Sequence, residues 1–389
     1  MDNTMKYLRN VKTLLEQAFV ALYSLSHPLK KQILFESFSG KQYSDNPRAI
    51  SEKFHELFPE YIIYWKLNKK ENSYGLVPDY IKRIPEEKQR LFPFEFLKVL
   101  ATSCCFVTNE ALNVLLPKRK GQFFVCTWHG DRSFKKVAYD LEDFSGTLYE
   151  DKLADLCVAG SSLGEKMFKT AFRFSGEILK KGTPRDDVLV RNSFDEKERV
   201  FTRLGLSRDK KYLLYAPTFK DFNNHVAQFN NDLCLSRTIA LLNNTTGNEW
   251  VVLSRAHSSA CGGIQYIEED KKCIIEVSDY PDMSDILLIV DALITDYSSS
   301  AGDAALRSIP IILFQSESFR RPLFKMEDSP FWVAHNQDEL EQIISGITEE
   351  KVKKNCKDIL DFYGTVETGL SSEFVAKRIH KEAIKSKAI

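Results

Sequence analysis

The amino-acid sequence predicts an α/β protein with two doubly wound parallel sheets. Short apolar runs alternate with amphipathic segments along the 389 residues, which is the pattern of parallel strands joined by helices. The runs fall into two sets, from Gln32 to Gly182 and from Lys211 to Phe314. Polar side chains follow several runs directly, and a doubly wound sheet binds its ligands beyond the carboxyl ends of its strands. We therefore expect a functional site at these strand ends.

The first set contains six strand candidates and the second set contains five. The six are QILFESF, YIIYWKL, CCFVTN, QFFVCTW, LCVAG and GEILKKG, and the five are KYLLYAPT, EWVVLSR, KCIIEV, DALIT and IPIILF. Between the sets, the polar stretch from Gly182 to Lys211 carries turn residues and a charged helix, so we expect a linker there. From Glu339 onward the pattern predicts helices. The chain divides into an N-terminal helix at 1–30, sheet domains at 31–190 and 191–370, and a C-terminal helix at 371–389.

Composition argues against several classes of protein. Fifty-four basic and fifty-four acidic residues cancel, so we expect no nucleic-acid partner. The eight cysteines form no CxxC pair and most lie in apolar runs, as is typical of reduced thiols in a cytoplasmic protein. The chain has no GxGxxG sequence after its first strand and no Walker loop, which disfavours ordinary dehydrogenases and ATPases. No histidine pair has the helical spacing of a metal site, and we expect neither a metal nor a cofactor.

The N-terminal segment predicts an amphipathic helix. No apolar run approaches the roughly 18 residues that a spanning helix requires. Residues 5–23 place apolar side chains at helical spacing, with basic residues between them. Such a helix suits an anionic membrane surface, and packing on the protein's own body is an equal alternative.

Four strand ends carry polar side chains that could form an active site. The residues, taken in chain order, are His129 with Gly130, Thr218 with Lys220, Arg255 with His257, and Thr295 with Asp296 and the serines that follow. The chain has only seven histidines, and two of them lie in this set. The set therefore predicts one site built from several loops.

The segment from Asp279 to Phe314 predicts a phosphate site in its middle. A buried strand around Ala292 leads to Ser298, Ser299 and Ser300, which open a helix ending near Leu306. Hydroxyls and the free amides of a first helical turn can face one anion. An ordinary N-cap is the alternative. A second turn, GSSLGEK from Gly160 to Lys166, lacks the spacing of a phosphate loop, and we interpret it as a helix start capped by Ser161 or Ser162.

Five motifs occur in an order that resembles one known family. They are TWHG at 127–130, GTPRDD at 182–187, YAPTFK at 215–220, SRAH at 254–257 and DALITDYSS at 291–299. Together they resemble the CDP-glycerol glycerophosphotransferases of teichoic-acid and capsule synthesis. The segment FESFSGKQYSDNPRAI at 35–50 is similar to that family's first loop and helix. The resemblance extends from about Gln32 to Ser372.

The resemblance implies a GT-B architecture, in which two Rossmann-like domains face a cleft and the C-terminal domain holds the cytidine nucleotide. It implies transfer of an alditol phosphate, here glycerol phosphate, from a CDP-linked donor to a hydroxyl of a lipid-linked or polymeric cell-surface glycan, with release of CMP. The CDP-linked donor is then a substrate and not a cofactor. The expected location is the inner face of the cytoplasmic membrane, with the membrane surface as a further partner. The chain shows no added repeat domain, which favours few additions per acceptor.

The resemblance also implies roles for individual residues. His129 would be the general base, since an imidazole titrates near cytoplasmic pH, and His257 would be the second catalytic histidine. The expected substrate-binding residues are Gly130, Arg185, Thr218, Lys220, Arg255, Thr295, Asp296, Ser298 and Ser299. Among them, the serines would hold phosphate, while Asp296 would orient their turn or serve as a structural cap.

Several departures from the family pattern lie near these groups. The family commonly has asparagine at the position of Asp186, and it has threonine, proline and leucine at 131–133, where this chain has Asp, Arg and Ser. A carboxylate beside a phosphate is unfavourable unless it is paired. Two bulky aromatic residues of the family are replaced by Gly302 and Ala304. These departures leave a larger CDP-linked alditol or sugar open as the donor. A GT-B glycosyltransferase or epimerase that uses a sugar nucleotide, and a nucleotide-binding partner without catalysis, also stay open as alternatives.

Overall fold

The structure, a computed structural model, describes residues 3–68, 74–84, 92–112, 115–217, 233–256, 266–315 and 322–386, with the backbone alone for 3–10. It divides into two compact units. The first unit comprises Met1–Asp131, Val137–Asp187 and Val366–Ile389, and the second comprises Arg132–Lys136 and Val188–Thr365. The chain thus passes into the second unit briefly after the WHG motif, and its last helix belongs to the first unit. Neither feature is part of the domain ranges predicted from the sequence.

The first unit is built on a seven-stranded parallel sheet in the order β3-β2-β1-β4-β5-β6-β7. Its strands are β1 Lys30–Glu36, β2 Ile62–Lys66, β3 Lys82–Ile84, β4 Ser103–Thr108, β5 Phe123–Cys126, β6 Leu156–Ala159 and β7 Glu177–Lys180. Every residue of β4, β5 and β6 is buried, as expected for central strands covered on both faces. The sequence predicted six of these strands and missed β3, because KRI is short and exposes two of its three residues.

The second unit is built on a six-stranded parallel sheet in the order β10-β9-β8-β11-β12-β13. Its strands are β8 Lys211–Ala216, β9 Trp250–Ser254, β10 Ile274–Glu276, β11 Ala292–Thr295, β12 Ile311–Phe314 and β13 Trp332–Ala334. The five predicted strands are confirmed, and the short β13 is additional. Counted from its own first strand, each sheet follows the Rossmann order 3-2-1-4-5-6. The order reverses between β1 and β4 in one sheet and between β8 and β11 in the other, so ligands are expected at the carboxyl ends of these strands.

Helices cover the sheets of both units. In the first unit they are α1 Asn3–Ser26, α2 Asp45–Leu57, α3 Phe94–Thr102, α4 Glu150–Leu153, α5 Ser162–Thr170 and α14 Ser371–Lys385, and α6 Asp187–Arg191 lies where the chain leaves that unit. In the second unit they are α7 Phe194–Leu204, α8 Leu235–Thr246, α9 Glu268–Lys271, α10 Met283–Ile289, α11 Ser300–Ala304, α12 Gln337–Ser345 and α13 Glu349–Tyr363. Ser161 caps α5 by accepting a hydrogen bond from the Gly164 N–H, which confirms the predicted turn there.

The segment predicted as a linker, residues 182–211, belongs partly to the first unit and partly to the second. Its first residues are buried in the first unit, where the Asp187 carboxylate accepts hydrogen bonds from the Ser371 and Ser372 amides at the start of α14. The Thr183 amide donates to the Glu367 carboxylate. Only α7, which packs on α10 in the second unit, is the charged helix that the sequence predicted. The linker prediction is therefore wrong for 182–187, because their polar groups bind other parts of the first unit.

The N-terminal helix α1 packs on the first unit with one face, as one of the two alternatives predicted, and exposes another face. The Phe19 ring contacts Phe92 and Phe94, and Val20 is buried in the core. The face that carries Leu15 (57% exposed) and Leu22 (68% exposed) is open. Among the described helices, none combines the length and apolar character needed to cross a bilayer.

Candidate active site

The candidate base, His129, lies just beyond the carboxyl end of β5. The residue before it, Trp128, has a φ of 53°, a left-handed conformation that costs a non-glycine residue about 1–2 kcal/mol. Phe38, Ser39 and Asp45, which follow β1 and begin α2, also have positive φ values. Such strain persists only where surrounding contacts fix the backbone, and it is typical of functional sites.

The His129 ring has one nitrogen bonded and one available. Its Nδ1 lies 2.8 Å from the carbonyl oxygen of Asn109, which follows β4. Because a carbonyl can only accept, Nδ1 carries the hydrogen in the neutral ring, and the lone pair is on Nε2. Phe38 and Trp128 contact the ring faces at centroid distances of 5.2 and 4.1 Å. The histidine is half-buried, so the structure orients its basic nitrogen without enclosing it fully.

Two side chains hold the backbone around His129. The buried Asn46 amide donates to the Trp128 carbonyl at 2.9 Å, and its oxygen accepts from the Arg185 amide at 3.0 Å. The Arg185 guanidinium donates to the His129 carbonyl at 2.8 Å and to the Asp45 carboxylate at 3.0 Å. Arg185 was predicted to bind substrate. In the structure its side chain is 6% exposed and binds the protein's own loop.

A carboxylate lies close to His129. Burial raises the pKa of the Glu110 carboxyl above its ordinary value, and the nearby His129 opposes this rise. Glu36 also raises this pKa, whereas Lys41 and Lys66 lower it. The Lys66 ammonium is 3.0 Å from Glu36. The region beyond the carboxyl ends of β1 and β4 is therefore polar and carries charges of both signs.

Two acidic departures from the family pattern are buried and contact other groups of the first unit. The Asp131 carboxylate accepts the Gly160 N–H at 3.0 Å, beside the start of α5. The Asp186 carboxylate is fully buried, 3.7 Å from the Arg185 guanidinium. The charge of Asp186 therefore lies beside an opposite charge inside the first unit, and Asp131 has a hydrogen-bond donor there.

In the second unit, the predicted phosphate turn follows β11 at the β8–β11 switch point. Thr295 is buried and donates its hydroxyl to the Ala216 carbonyl at 2.6 Å, so it joins two strands. Asp296 is also buried. The Ser298 hydroxyl lies 2.8 Å from the Ser300 hydroxyl and accepts the Ser300 amide at 3.4 Å. Ser299 is half-buried, one residue before α11.

Five predicted site residues remain, and two of them are described by the structure. Arg255 donates its guanidinium to the Tyr280 and Pro281 carbonyls, so it fixes the loop before α10. Thr218, Lys220 and His257 lie outside the described residues. Gly130 is buried, and a Cβ added there would lie 3.1 Å from the Trp128 indole nitrogen.

Two asparagines at this site were missed by the sequence interpretation. Asn109 is buried, accepts from His129 through its carbonyl, and accepts the Phe38 amide through its side chain at 2.8 Å. The signal in the sequence is its place at the end of the predicted strand CCFVTN. Asn46 lies in the DNP segment, which was used only to support the family resemblance.

Two sheets of Rossmann order, with polar groups at both switch points, define a nucleotide-using enzyme of the GT-B type. A family model for CDP-glycerol:poly(glycerophosphate) glycerophosphotransferases matches residues 19–381. The chain belongs to this family. The predicted family, fold class and enzyme class are confirmed, and the sugar-nucleotide alternatives are not supported.

Individual relatives agree with this assignment. The chain is 30% identical to a teichoic acid poly(glycerol phosphate) polymerase of Bacillus spizizenii, over 96% of this chain and 99% of the relative. It is 30% identical to the Bacillus subtilis polymerase of the same name, over 95% of this chain but 51% of the relative. A solved structure of the wall teichoic acid polymerase TagF is 25% identical with a TM-score of 0.80, covering 99% of both chains. A TagF histidine variant soaked with the compound abbreviated CDPG matches equally well.

Proposed function

We propose that this protein transfers glycerol phosphate from CDP-glycerol to a hydroxyl of a poly(glycerol phosphate) acceptor, with His129 as the general base. The orientation of the His129 ring carries the proposal. With Nδ1 committed to the Asn109 carbonyl, Nε2 is the nitrogen that can accept the acceptor's proton. A base fixed in one tautomer avoids the cost of reorganisation during the reaction.

The reaction is a displacement at phosphorus. The acceptor oxygen attacks the β-phosphorus of CDP-glycerol and forms the new P–O bond. The bond from that phosphorus to the oxygen of CMP breaks, and CMP leaves with the electron pair. His129 takes the proton of the attacking hydroxyl, which prevents a positively charged oxygen from building up in the transition state.

The second unit supplies the donor contacts in this proposal. Charge that develops on the transferred and leaving groups must be met by fixed donors. The Ser299 hydroxyl and the amides of the 298–299 turn are the candidates among the described residues. Thr218, Lys220 and His257 complete this set on the sequence resemblance alone. Arg255 acts indirectly, because its guanidinium holds the Tyr280–Pro281 backbone.

We also propose that the acceptor receives many units. The Bacillus spizizenii relative that aligns along 99% of its own length is named a polymerase. A relative named a glycerol-phosphate primase of Bacillus subtilis aligns over only 56% of this chain. This weighs against the few additions expected from the sequence.

The product that leaves the donor tests the proposed reaction. The protein is incubated with a glycerol phosphate acceptor and, separately, with CDP-glycerol, CDP-ribitol and a UDP-sugar. We expect CMP from CDP-glycerol, together with a lengthened acceptor. Release of a nucleoside diphosphate, or turnover of the UDP-sugar alone, would overturn the proposal. A single added unit per acceptor would overturn only the polymerase assignment.

We further propose that the open face of α1 binds the cytoplasmic surface of an anionic membrane. Leu14, Leu15, Leu22 and Leu25 are between 57% and 85% exposed on this helix. Such a stripe suits the boundary between headgroups and acyl chains. The helix is held to the first unit through Phe19 and Val20, so the stripe is presented on a fixed support.

Flotation with vesicles containing anionic phosphatidylglycerol tests the membrane proposal. The double variant Leu15→Gln/Leu22→Gln should lose most of its vesicle-bound fraction. Ile384→Gln on α14 is a matched control, because Ile384 is 61% exposed in the same unit. Equal flotation of all three proteins would contradict the proposal.

A further inference from the structure

Residues 132–136 directly follow the WHG motif and its aspartate, and they belong to the second unit. There, Phe134 is buried against the rings of Phe331 and Tyr363. Its carbonyl accepts the Leu323 amide at 2.8 Å, and Lys135 forms an antiparallel bridge with Pro322. This short segment is therefore an integral part of the second unit.

Arg132 begins the segment and forms a buried ion pair. Its guanidinium is fully buried, and Nε and Nη2 each lie 2.9 Å from Oδ1 of Asp303. Asp303 is itself 3% exposed. Burial of two charges is tolerated only when they satisfy each other. The pair thus fixes the side chain of Asp303 within α11.

Gly302 makes room for this arginine. A Cβ added at Gly302 would lie 2.7 Å from Arg132 Cβ and 2.9 Å from Arg132 Cδ, closer than real side-chain carbons approach. The ring of Tyr363 would be 3.2 Å from the same Cβ. The two departures from the family pattern, arginine at 132 and glycine at 302, are therefore parts of one packing arrangement. Arg132 in this position requires glycine at 302.

This arrangement is bonded directly to the serine turn. The Asp303 and Gly302 amides donate to the Ser299 carbonyl at 3.3 and 3.0 Å, and the Ala301 amide donates to the Ser298 carbonyl at 3.1 Å. A shift of α11 would carry both serine carbonyls with it. Arg132 is thus connected to the turn through its ion pair with Asp303 and through the backbone amide of Asp303.

We propose that Arg132 is a positioning residue for the donor phosphate: it fixes Asp303 and Gly302, and through them the Ser298–Ser299 turn. The inference rests on the proposed function, because the turn's task is to hold the CDP-linked donor. Arg132 does not itself contact the donor. Its replacement should therefore change donor affinity and leave acceptor affinity unchanged.

Steady-state kinetics of three variants test this role. Arg132→Met removes the ion pair with Asp303 and should raise KM for CDP-glycerol about tenfold, the effect of losing roughly one charged hydrogen bond. KM for the acceptor should not change. Arg132→Lys should recover part of the loss, since lysine keeps the charge but lacks the fork that binds Asp303 twice. Arg237→Met is the control, because Arg237 pairs with Glu341 on the exposed surface of the same unit.

A double-mutant cycle tests the packing independently of turnover. CDP affinity is measured by calorimetry for Gly302→Ala, Arg132→Gly and the double variant, because only glycine removes the Arg132 Cβ that lies nearest to a Cβ at Gly302. Gly302→Ala alone should weaken CDP binding about tenfold, whereas adding it to Arg132→Gly should change the affinity by less than about twofold. Strict additivity of the two effects would overturn the inference.

The outcomes separate this inference from the proposed function. If the wild-type protein binds CDP but releases no CMP from CDP-glycerol, the proposed function fails and the cycle still decides the role of Arg132. If CMP is released and Arg132→Met keeps the donor KM within about twofold of wild type, the inference is wrong. Should Arg132→Met not fold, the milder Arg132→Lys and Gly302→Ala variants decide by the same criteria.

Discussion

The two switch points of this protein share one strand order and carry different kinds of site. In the first unit, His129 and the residue before it are held by contacts from three separate segments of the chain, those of Asn109, Asn46 and Arg185. In the second unit, the serine turn is bonded mainly within itself and to α11. The carboxyl ends of equivalent strands therefore carry a preorganised base in the first sheet and a short run of hydrogen-bond donors in the second.

The difference shows that the fold locates a site while the loops determine its chemistry. Where long-range contacts converge on one residue and its backbone, as at His129, substitutions should act on the chemical step. Where the contacts are local, as at Ser299, substitutions should act on ligand affinity.

The largest effect is expected for His129. Replacement of a general base lowers turnover by about 10²- to 10⁴-fold, and His129→Gln keeps a polar side chain of similar length. We expect kcat for CMP release to fall within that range while KM for CDP-glycerol stays nearly constant. His335→Gln is the matched control, because the Nδ1 of His335 also binds a backbone carbonyl, that of Gln315. Turnover by His129→Gln equal to that of the control would show that another group is the base.

The next largest effect is expected for Asn46. Asn46→Ala removes the hydrogen bonds to the Trp128 carbonyl and the Arg185 amide, so the strained turn before His129 loses its support. A displacement of about 1 Å at a reacting group can cost up to about 100-fold in rate, and we expect kcat to fall about 10- to 100-fold. Asn46→Asp should give a similar loss, because a carboxylate cannot donate to the Trp128 carbonyl.

Asn355→Ala provides the control for Asn46. Asn355 is also buried and donates to a backbone carbonyl, that of Pro330, in the second unit. Both alanine variants should lose about 1–3 kcal/mol of unfolding free energy. Only Asn46→Ala should lower kcat. A proportional loss of stability and kcat in both variants would mean that Asn46 has no special relation to His129.

A smaller effect is expected for the serine turn. Ser299→Ala should raise KM for CDP-glycerol about 3- to 10-fold, the value of one neutral hydrogen bond, with the melting temperature unchanged. Ser298→Ala should change both, because its hydroxyl also bonds Ser300. Ser329→Ala, which removes a hydroxyl bonded to the Met326 carbonyl, should change neither kinetic constant. If Ser299→Ala leaves donor KM unchanged, the turn is an ordinary helix cap.

The sequence predicted the parts of this protein that depend on local pattern. Apolar runs and the residues just after them predicted both sheets. They also predicted the turn capped by Ser161 and the position of His129 at a strand end. The short strands β3 and β13 were missed because three residues carry little periodicity, and β10 is the one strand of that length that was predicted. The direction in which each polar side chain points could not be predicted from the sequence either. Nothing local indicates that Arg255 turns towards the Tyr280 carbonyl, or that Arg132 pairs with a residue 171 positions away.

The smallest effect concerns the carboxyl of Glu110, near His129. Burial raises the pKa of this carboxyl, and His129 opposes part of the rise. A carboxyl with a raised pKa binds its proton more tightly in the folded state, so the free energy of unfolding falls as pH rises from near the ordinary value of 4.5 through the folded pKa. Glu110→Gln removes this titration while keeping the side chain's size.

We therefore expect the melting temperature of Glu110→Gln to exceed that of wild type by an amount that grows as pH rises above the ordinary value of 4.5. Glu142→Gln, at an exposed position of the same unit, should follow the wild-type profile throughout. Parallel pH profiles for Glu110→Gln and wild type would show that the carboxyl is solvated as fully when folded as when unfolded. The polar edge of the first unit would then be more open to water than its contacts indicate, and the contrast between the two switch points would be weaker.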